Sequence, residues 1–214
     1  LLLAPPSENV RHFIEGKVDL ALIPAAVVPT LKDAQVVTDY CIGAVGAVRT
    51  VMLVSNTPIE SVKRIWLDAH SRTSVQLVGY LAKHRWKITP EWLAMDDYSL
   101  LETPQVGDAY LIIGDKCFGY EGRFAYNYDL ASEWIAQTRL PFAFALWVAR
   151  KGLSYQVHDA LQRCLTYGVE HTYEAILESD YADREYAYEY LTQNIDYLFD
   201  SQKHKALKKF WDFG

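Results

Sequence analysis

Apolar residues recur along the first half of the chain in two alternating rhythms. Residues 18–23 (Val-Asp-Leu-Ala-Leu-Ile), 62–67 and 109–113 are short, nearly continuous apolar runs of strand length. Val10, Phe13 and Ile14, and later Val75, Val78, Leu81 and Ala82, each fall on one helical face. Gly16 closes the first of these helices as a C-cap, and Pro24 stops the strand that follows it. Leu1 to Leu3 reads as the end of a further strand, stopped at Pro5-Pro6-Ser7, while a short helix to Leu31 and a strand at 36–38 complete the opening section. Strands separated by helices of this size predict an α/β fold with a mostly parallel sheet.

Two longer runs break that rhythm. Residues 41–54 are β-prone throughout and contain Gly43 and Gly46, and residues 140–149 are almost wholly apolar. A typical strand has about 5 or 6 residues, so runs of this length are expected either to bend or to pass from one lobe to another. Two of them bracketing the middle of the chain are what a hinge requires. The expected architecture is therefore two-lobed with two hinge crossings: residues 1–56 and 141–214 form lobe one, and 57–140 form lobe two. Beyond Gly152, Val157, Leu161, Cys164, Leu165, Gly168, Thr172, Ala175 and Ile176 share a helical face. Two shorter helices, over 183–194 and 201–212, are expected to end the chain and pack on lobe one.

Composition narrows the function classes. The chain of 214 residues is half hydrophobic, carries 15 Tyr and 6 Trp, and has a formal net charge of -6. A nucleic-acid partner is disfavoured, because phosphate backbones are bound by clustered Lys and Arg. The one basic cluster, Lys203, Lys205, Lys208 and Lys209, has the spacing of a solvated helix face. Cys41, Cys117 and Cys164 are odd in number and far apart, which reads as reduced, cytosolic thiols. No run reaches the roughly 18 to 20 apolar residues of a membrane span, and Leu1 to Ala4 lacks the basic start of a secretory signal. The chain begins within an element, so a natural segment is expected upstream of Leu1.

Candidate chemistry concentrates in the turn after residues 62–67, where Asp68, Ala69 and His70 precede Ser71-Arg72-Thr73-Ser74. A strand that ends here and opens a helix aims unpaired backbone N–H groups, hydroxyls and the positive helix end at one spot, a carboxylate or phosphate cradle. Ser71 or Thr73 capping its own helix is the competing reading. Arg72 is suited to a two-point carboxylate clamp, and a solvated helix-start arginine has the same spacing. Asp68 and Asp115, each after a buried strand, fit either a cleft or an ordinary turn. His70 is the histidine placed to exchange a proton; His12, His158, His171 and His204 sit in helical segments. Zinc-site spacings, Walker loops, GxGxxG, GxSxG and HExxH do not occur.

Taken together, Pro6-Ser7, Asp19 to Pro24, Tyr40 to Val45 with Val51 to Ser55, Asp68 with Ser71 to Val75, Ile113-Gly114-Asp115 and Leu140 to Trp147 resemble, in order, the MqnA-type chorismate dehydratases of the futalosine route to menaquinone. The resemblance implies a type II periplasmic-binding-protein-like fold working in the cytoplasm without a cofactor. It also implies loss of water from chorismate to give 3-[(1-carboxyvinyl)oxy]benzoate, with the enolpyruvyl carboxylate of the substrate assisting proton removal. On this basis Ser55 and Asp115 are the expected catalytic residues. Pro6, Ser7, Ser71, Arg72, Thr73, Ser74, Gly114, Pro141 and Phe142 join them around the substrate, Thr73 and Ser74 as carboxylate donors. The family begins with a strand and a Tyr-Leu-Asn segment that lie before Leu1. The competing readings are a non-catalytic carboxylate-binding protein of the same fold and 1,4-dihydroxy-6-naphthoate synthase, which would draw on His70. No metal, nucleic acid or membrane is implied, and monomer and homodimer both remain open.

Overall fold

The computed structural model describes residues 1–4, 6–68 and 71–213, with the side chains of Pro6 and Ser7 outside the description. In chain order the elements are α1 (Pro6–Ile14), β1 (Leu20–Pro24), β2 (Ala34–Ala44), β3 (Val51–Ser55), β4 (Arg64–Asp68), α2 (Arg72–Leu81), β5 (Glu91–Met95), β6 (Asp108–Ile113), α3 (Lys116–Gly119), β7 (Tyr126–Asp129) and α4 (Leu130–Thr138). They continue with β8 (Phe142–Arg150), α5 (Tyr155–Glu170), α6 (Thr172–Glu178), α7 (Arg184–Glu189), β9 (Asp196–Leu198) and α8 (Ser201–Trp211). Residues 1–4 carry no regular structure, so the strand expected at Leu1 to Leu3 is not formed there.

The strands make two sheets, ordered β1-β8-β2-β9 and β5-β4-β6-β3-β7. The first is antiparallel throughout. In the second, β4 runs parallel to β5 and β6, while β3 runs antiparallel to β6 and β7. The expectation of a mostly parallel sheet therefore holds only for β5-β4-β6. β1 and β2 do point the same way, as their strand-helix rhythm implies, but β8 inserts between them from a distant part of the chain and reverses both ladders.

The run 41–54 divides between the sheets. Its first part ends β2, residues 45–50 cross over, and β3 begins the second sheet. Gly43 is needed where the crossing starts, because a Cβ there would stand 2.7 Å from the Phe142 carbonyl oxygen and 2.8 Å from Lys203 Cε. The return is shorter. Arg139 caps α4 in the left-handed conformation (φ 61°), and β8 starts at Phe142 and lies wholly in the first sheet.

Aromatic packing joins the two sheets. Trp134 of α4, Phe142 of β8 and Phe210 of α8 are fully buried and meet with ring centroids 5.1 to 6.1 Å apart. Each such side chain stabilises the fold by roughly 1.5–3 kcal/mol through burial. The Trp134 indole N–H donates to the Pro141 carbonyl at 3.1 Å. α8 spans the junction: Trp211 donates to Ala25 on the first lobe (2.8 Å), and the Phe210 carbonyl accepts from Gln76 on α2 (3.2 Å). α5 lies against β2, where the Tyr40 hydroxyl donates to Thr166 at 3.0 Å.

Candidate functional site

β4 and β6 are parallel neighbours, so both end at the same edge of the second sheet. Antiparallel β3 starts at that edge, since Val51 pairs with Ile113. Asp68, Gly114 and Thr50 are thereby gathered at one line facing the first lobe, the ligand-collecting edge of open α/β sheets. Across from them stand Leu22 and Pro24 of β1, Ile42 of β2 and Phe144 of β8, enclosing a cavity of about 400 Å³. The C-terminal segment adds Tyr190 and Ile195.

The turn after β4 opens into this cavity. Ser71 caps α2, its hydroxyl oxygen accepting from the Ser74 N–H at 3.2 Å while its O–H donates to Ser74 Oγ at 2.7 Å. Cap and cavity wall are thus one structure, and the amino end of α2 faces the cleft. Thr73 pins the lobes together: its hydroxyl accepts from the Ala26 N–H (3.2 Å) and donates to the Phe144 carbonyl (3.1 Å). Arg72 lines the cavity, remains exposed, and makes no ion pair among the described residues.

A second polar group stands beside it. Asp68 is only 1% exposed, and its carboxylate accepts a short hydrogen bond from the Tyr98 hydroxyl. Burial, with the hydrogen bond to Asp68 added to it, pushes the Tyr98 phenol well above its ordinary value. Lys116, also on the cavity wall, rests its ammonium 3.9 Å from the centre of the Tyr98 ring. At the β3 side the buried Thr50 hydroxyl shares a 2.8 Å hydrogen bond with the Tyr190 hydroxyl.

Of the residues expected around a ligand, Ser71, Arg72, Thr73, Ser74 and Gly114 line this cavity. Ser55 stands at the opposite end of β3, where its hydroxyl donates to the Asp108 carbonyl (2.6 Å) and accepts from the Thr57 N–H (2.9 Å). The Asp115 carboxylate accepts from the Tyr181 hydroxyl at 2.8 Å, bonding the second lobe to the C-terminal segment. That hydrogen bond, with burial added, pushes the Tyr181 phenol up to about 12. Pro141 and Phe142 belong to the aromatic junction and do not line the cavity, and the residues of β8 that reach its wall are Phe144 and Ala145. Pro6 and Ser7 form the first turn of α1, their side chains outside the description, and His70 lies outside the described residues.

Sequence reasoning missed Thr50, Lys116 and Tyr190. Thr50 carries a faint signal, a hydroxyl immediately ahead of an apolar strand. Tyr190 carries none, because its segment reaches the cleft only through tertiary packing. Tyr186 behaves alike: its hydroxyl donates to Glu121 (2.9 Å) and accepts from Arg49 (2.6 Å), and Phe118 packs edge-on against both Tyr186 and Tyr190.

The chain is similar in sequence and fold to known proteins. The chain is 27% identical over 169 residues to a chorismate dehydratase from Thermus thermophilus, a match that takes in 71% of this chain and 61% of that protein's length. Protein AF1704 from Archaeoglobus fulgidus superposes with a TM-score of 0.73 at 19% identity, covering all of this chain and 84% of that one. The periplasmic aliphatic sulphonate binding protein SsuA from Escherichia coli superposes with a TM-score of 0.55 at 16% identity, covering 99% and 67%. The fold is accordingly the two-lobed type II periplasmic-binding-protein-like α/β fold. A family model described as menaquinone biosynthesis matches residues 1–214, and the chain belongs to that family.

Proposed function

We propose that the chain is a chorismate dehydratase, a hydro-lyase of the cytoplasm that removes water from chorismate to leave 3-[(1-carboxyvinyl)oxy]benzoate on the futalosine route. The observation that carries this reading is the interlobe cavity of about 400 Å³, on whose wall Arg72, Lys116 and the hydroxyl-bearing amino end of α2 stand opposite a largely apolar face of the first lobe. Chorismate is a small dicarboxylate of a size that such a cavity encloses. Membership of a menaquinone biosynthesis family and likeness to a chorismate dehydratase support the same substrate.

In this reading Arg72 and the first turn of α2 hold one carboxylate. The proton leaves the ring carbon that bears the ether, taken up by the substrate's own enolpyruvyl carboxylate. The electron pair of that C–H bond forms the new ring double bond, and the neighbouring C–O bond breaks. The Thr50–Tyr190 hydroxyl pair, in which one hydroxyl donates to the other, offers a hydrogen bond to the departing hydroxide, and the carboxylic acid formed on the enolpyruvyl arm gives its proton to that hydroxide, which leaves as water. Aromatisation drives the step, so positioning and polar stabilisation supply the catalysis. Asp115 contributes by closing the lobes through Tyr181, and Ser55 by holding the rear of β3. His70, on which a dihydroxynaphthoate synthase would draw, lies outside the described residues, and no other histidine lines the cavity among the described residues.

Incubating the purified protein with chorismate and following the aromatic product by absorbance and mass spectrometry tests the reading. Thr50→Val is expected to lower kcat by about 10²-fold or more, the scale of losing a positioned hydrogen-bond donor. Binding of chorismate without any aromatic product would leave a carboxylate-binding protein instead.

A further inference from the structure

Lys116 differs in what holds it from the arginines that carry ion pairs around the second sheet. Arg49, Arg64, Arg85 and Arg123 each meet a carboxylate. Lys116 makes no ion pair among the described residues, and its ammonium sits on the Tyr98 face, 3.9 Å from the ring centre. Tyr98 is fixed at both ends. Asp97 caps its turn, accepting from the Ser99 N–H at 2.9 Å, and the Tyr98 hydroxyl donates to buried Asp68. A carboxylate in place of the ring would neutralise the ammonium. An aromatic face orients it by about 0.5–2 kcal/mol while leaving its charge available to a ligand. The hydrogen bond to Asp68 fixes the plane of the ring that the ammonium rests on.

Lys116 follows β6 as Arg72 follows β4, and those two strands are hydrogen-bonded parallel neighbours. Two cations of different geometry therefore stand side by side on one cavity wall. The planar guanidinium, beside a helix amino end, suits a fixed carboxylate, and the point-like ammonium suits one carried on a rotatable arm. We propose that Lys116 is a specificity-determining residue that reads the second carboxylate of a dicarboxylate ligand, with Tyr98 and Asp68 as its positioning residues. This rests on the dicarboxylate reading of the same cleft and adds to it the group that separates dicarboxylates from monocarboxylates.

Calorimetric titration with three probes tests it: 3-[(1-carboxyvinyl)oxy]benzoate, 3-ethoxybenzoate, which keeps only the ring carboxylate, and 2-phenoxyacrylate, which keeps only the side-arm carboxylate. Lys116→Met is expected to weaken the dicarboxylate by about tenfold or more, the scale of a lost charge-assisted hydrogen bond. It should leave one monocarboxylate within about twofold, and Lys116→Arg should restore part of the loss. Tyr98→Leu should reproduce the same selectivity change at smaller size, with Tyr98→Phe nearer the parent because the ring remains. Equal weakening of all three probes, or no weakening, overturns the assignment. Parent protein that binds the dicarboxylate without dehydrating chorismate would refute the reaction while a selective Lys116→Met loss still upholds the inference. If the folded parent binds none of the three, both fall.

Discussion

At the rear of the second sheet, Ser55, Thr57 and Asp108 form a closed polar circuit. The Asp108 carboxylate, 2% exposed, accepts from Arg64 Nε (2.5 Å) and the Trp66 indole (2.9 Å), and its carbonyl accepts from Ser55. Thr57 accepts from the Gly107 N–H at 2.8 Å. At the front, the same strands end in Asp68, Thr50 and the α2 turn, again a buried carboxylate with hydroxyls nearby, but the cations Arg72 and Lys116 are not spent on protein carboxylates among the described residues. The rear is a lock and the front a socket. Paired buried charge holds a sheet end together, whereas charge left facing a cavity is available to a ligand.

Mutations that exchange the roles of the two ends test this contrast. Removing the rear carboxylate with Asp108→Ala should cost about 2–4 kcal/mol of stability in urea denaturation, because the Trp66 N–H and the Arg64 head lose their acceptor. Ligand affinity per folded molecule should not change, and a collapse of affinity at preserved stability would erase the distinction between the ends. Ser55→Ala should cost less, about 1–2 kcal/mol, by stranding the Thr57 N–H. Its kcat on chorismate should stay within about twofold of the parent, in contrast to Thr50→Val.

The smallest effect concerns the tie between front edge and C-terminal segment. Tyr181 titrates at about 12 in the folded chain, against about 10 for an ordinary tyrosine. Its neutral form is therefore favoured by folding. That stabilisation is complete below pH 10 and is lost as the pH rises through about 12. Thermal melts between pH 9 and 12 should fall more steeply for the parent than for Tyr181→Phe, and parallel curves would deny the Asp115–Tyr181 bond a part in holding the lobes together.

Ser55 and Thr50 show where legibility stops. Both are hydroxyls flanking one apolar strand, and period-two alternation says nothing about which end of a strand meets the cleft. That depends on β3 running against β6. Asp115 is similar: it does follow a buried strand at the ligand-bearing edge, yet its carboxylate is taken by a tyrosine 66 residues away. The Ser71 to Ser74 turn, by contrast, is legible because cap, helix and cradle all lie within four consecutive residues.

The sequence by itself determined the elements whose causes are local. These are the amphipathic faces of α1, α2 and α5, the stop at Pro24 and the hydroxyl cap at the start of α2. Side-chain periodicity and backbone preference act over a turn or two, so a linear reading captures them. Only the tertiary structure decided that β8 would enter between β1 and β2, that the rear of β3 would be sealed while its front stayed open, and that Lys116 and Tyr190 would both reach the cleft. Those outcomes depend on strand order and on contacts between residues far apart in the chain. Such contacts form only when the burial they achieve exceeds the entropy of closing long loops, a balance that no local pattern encodes.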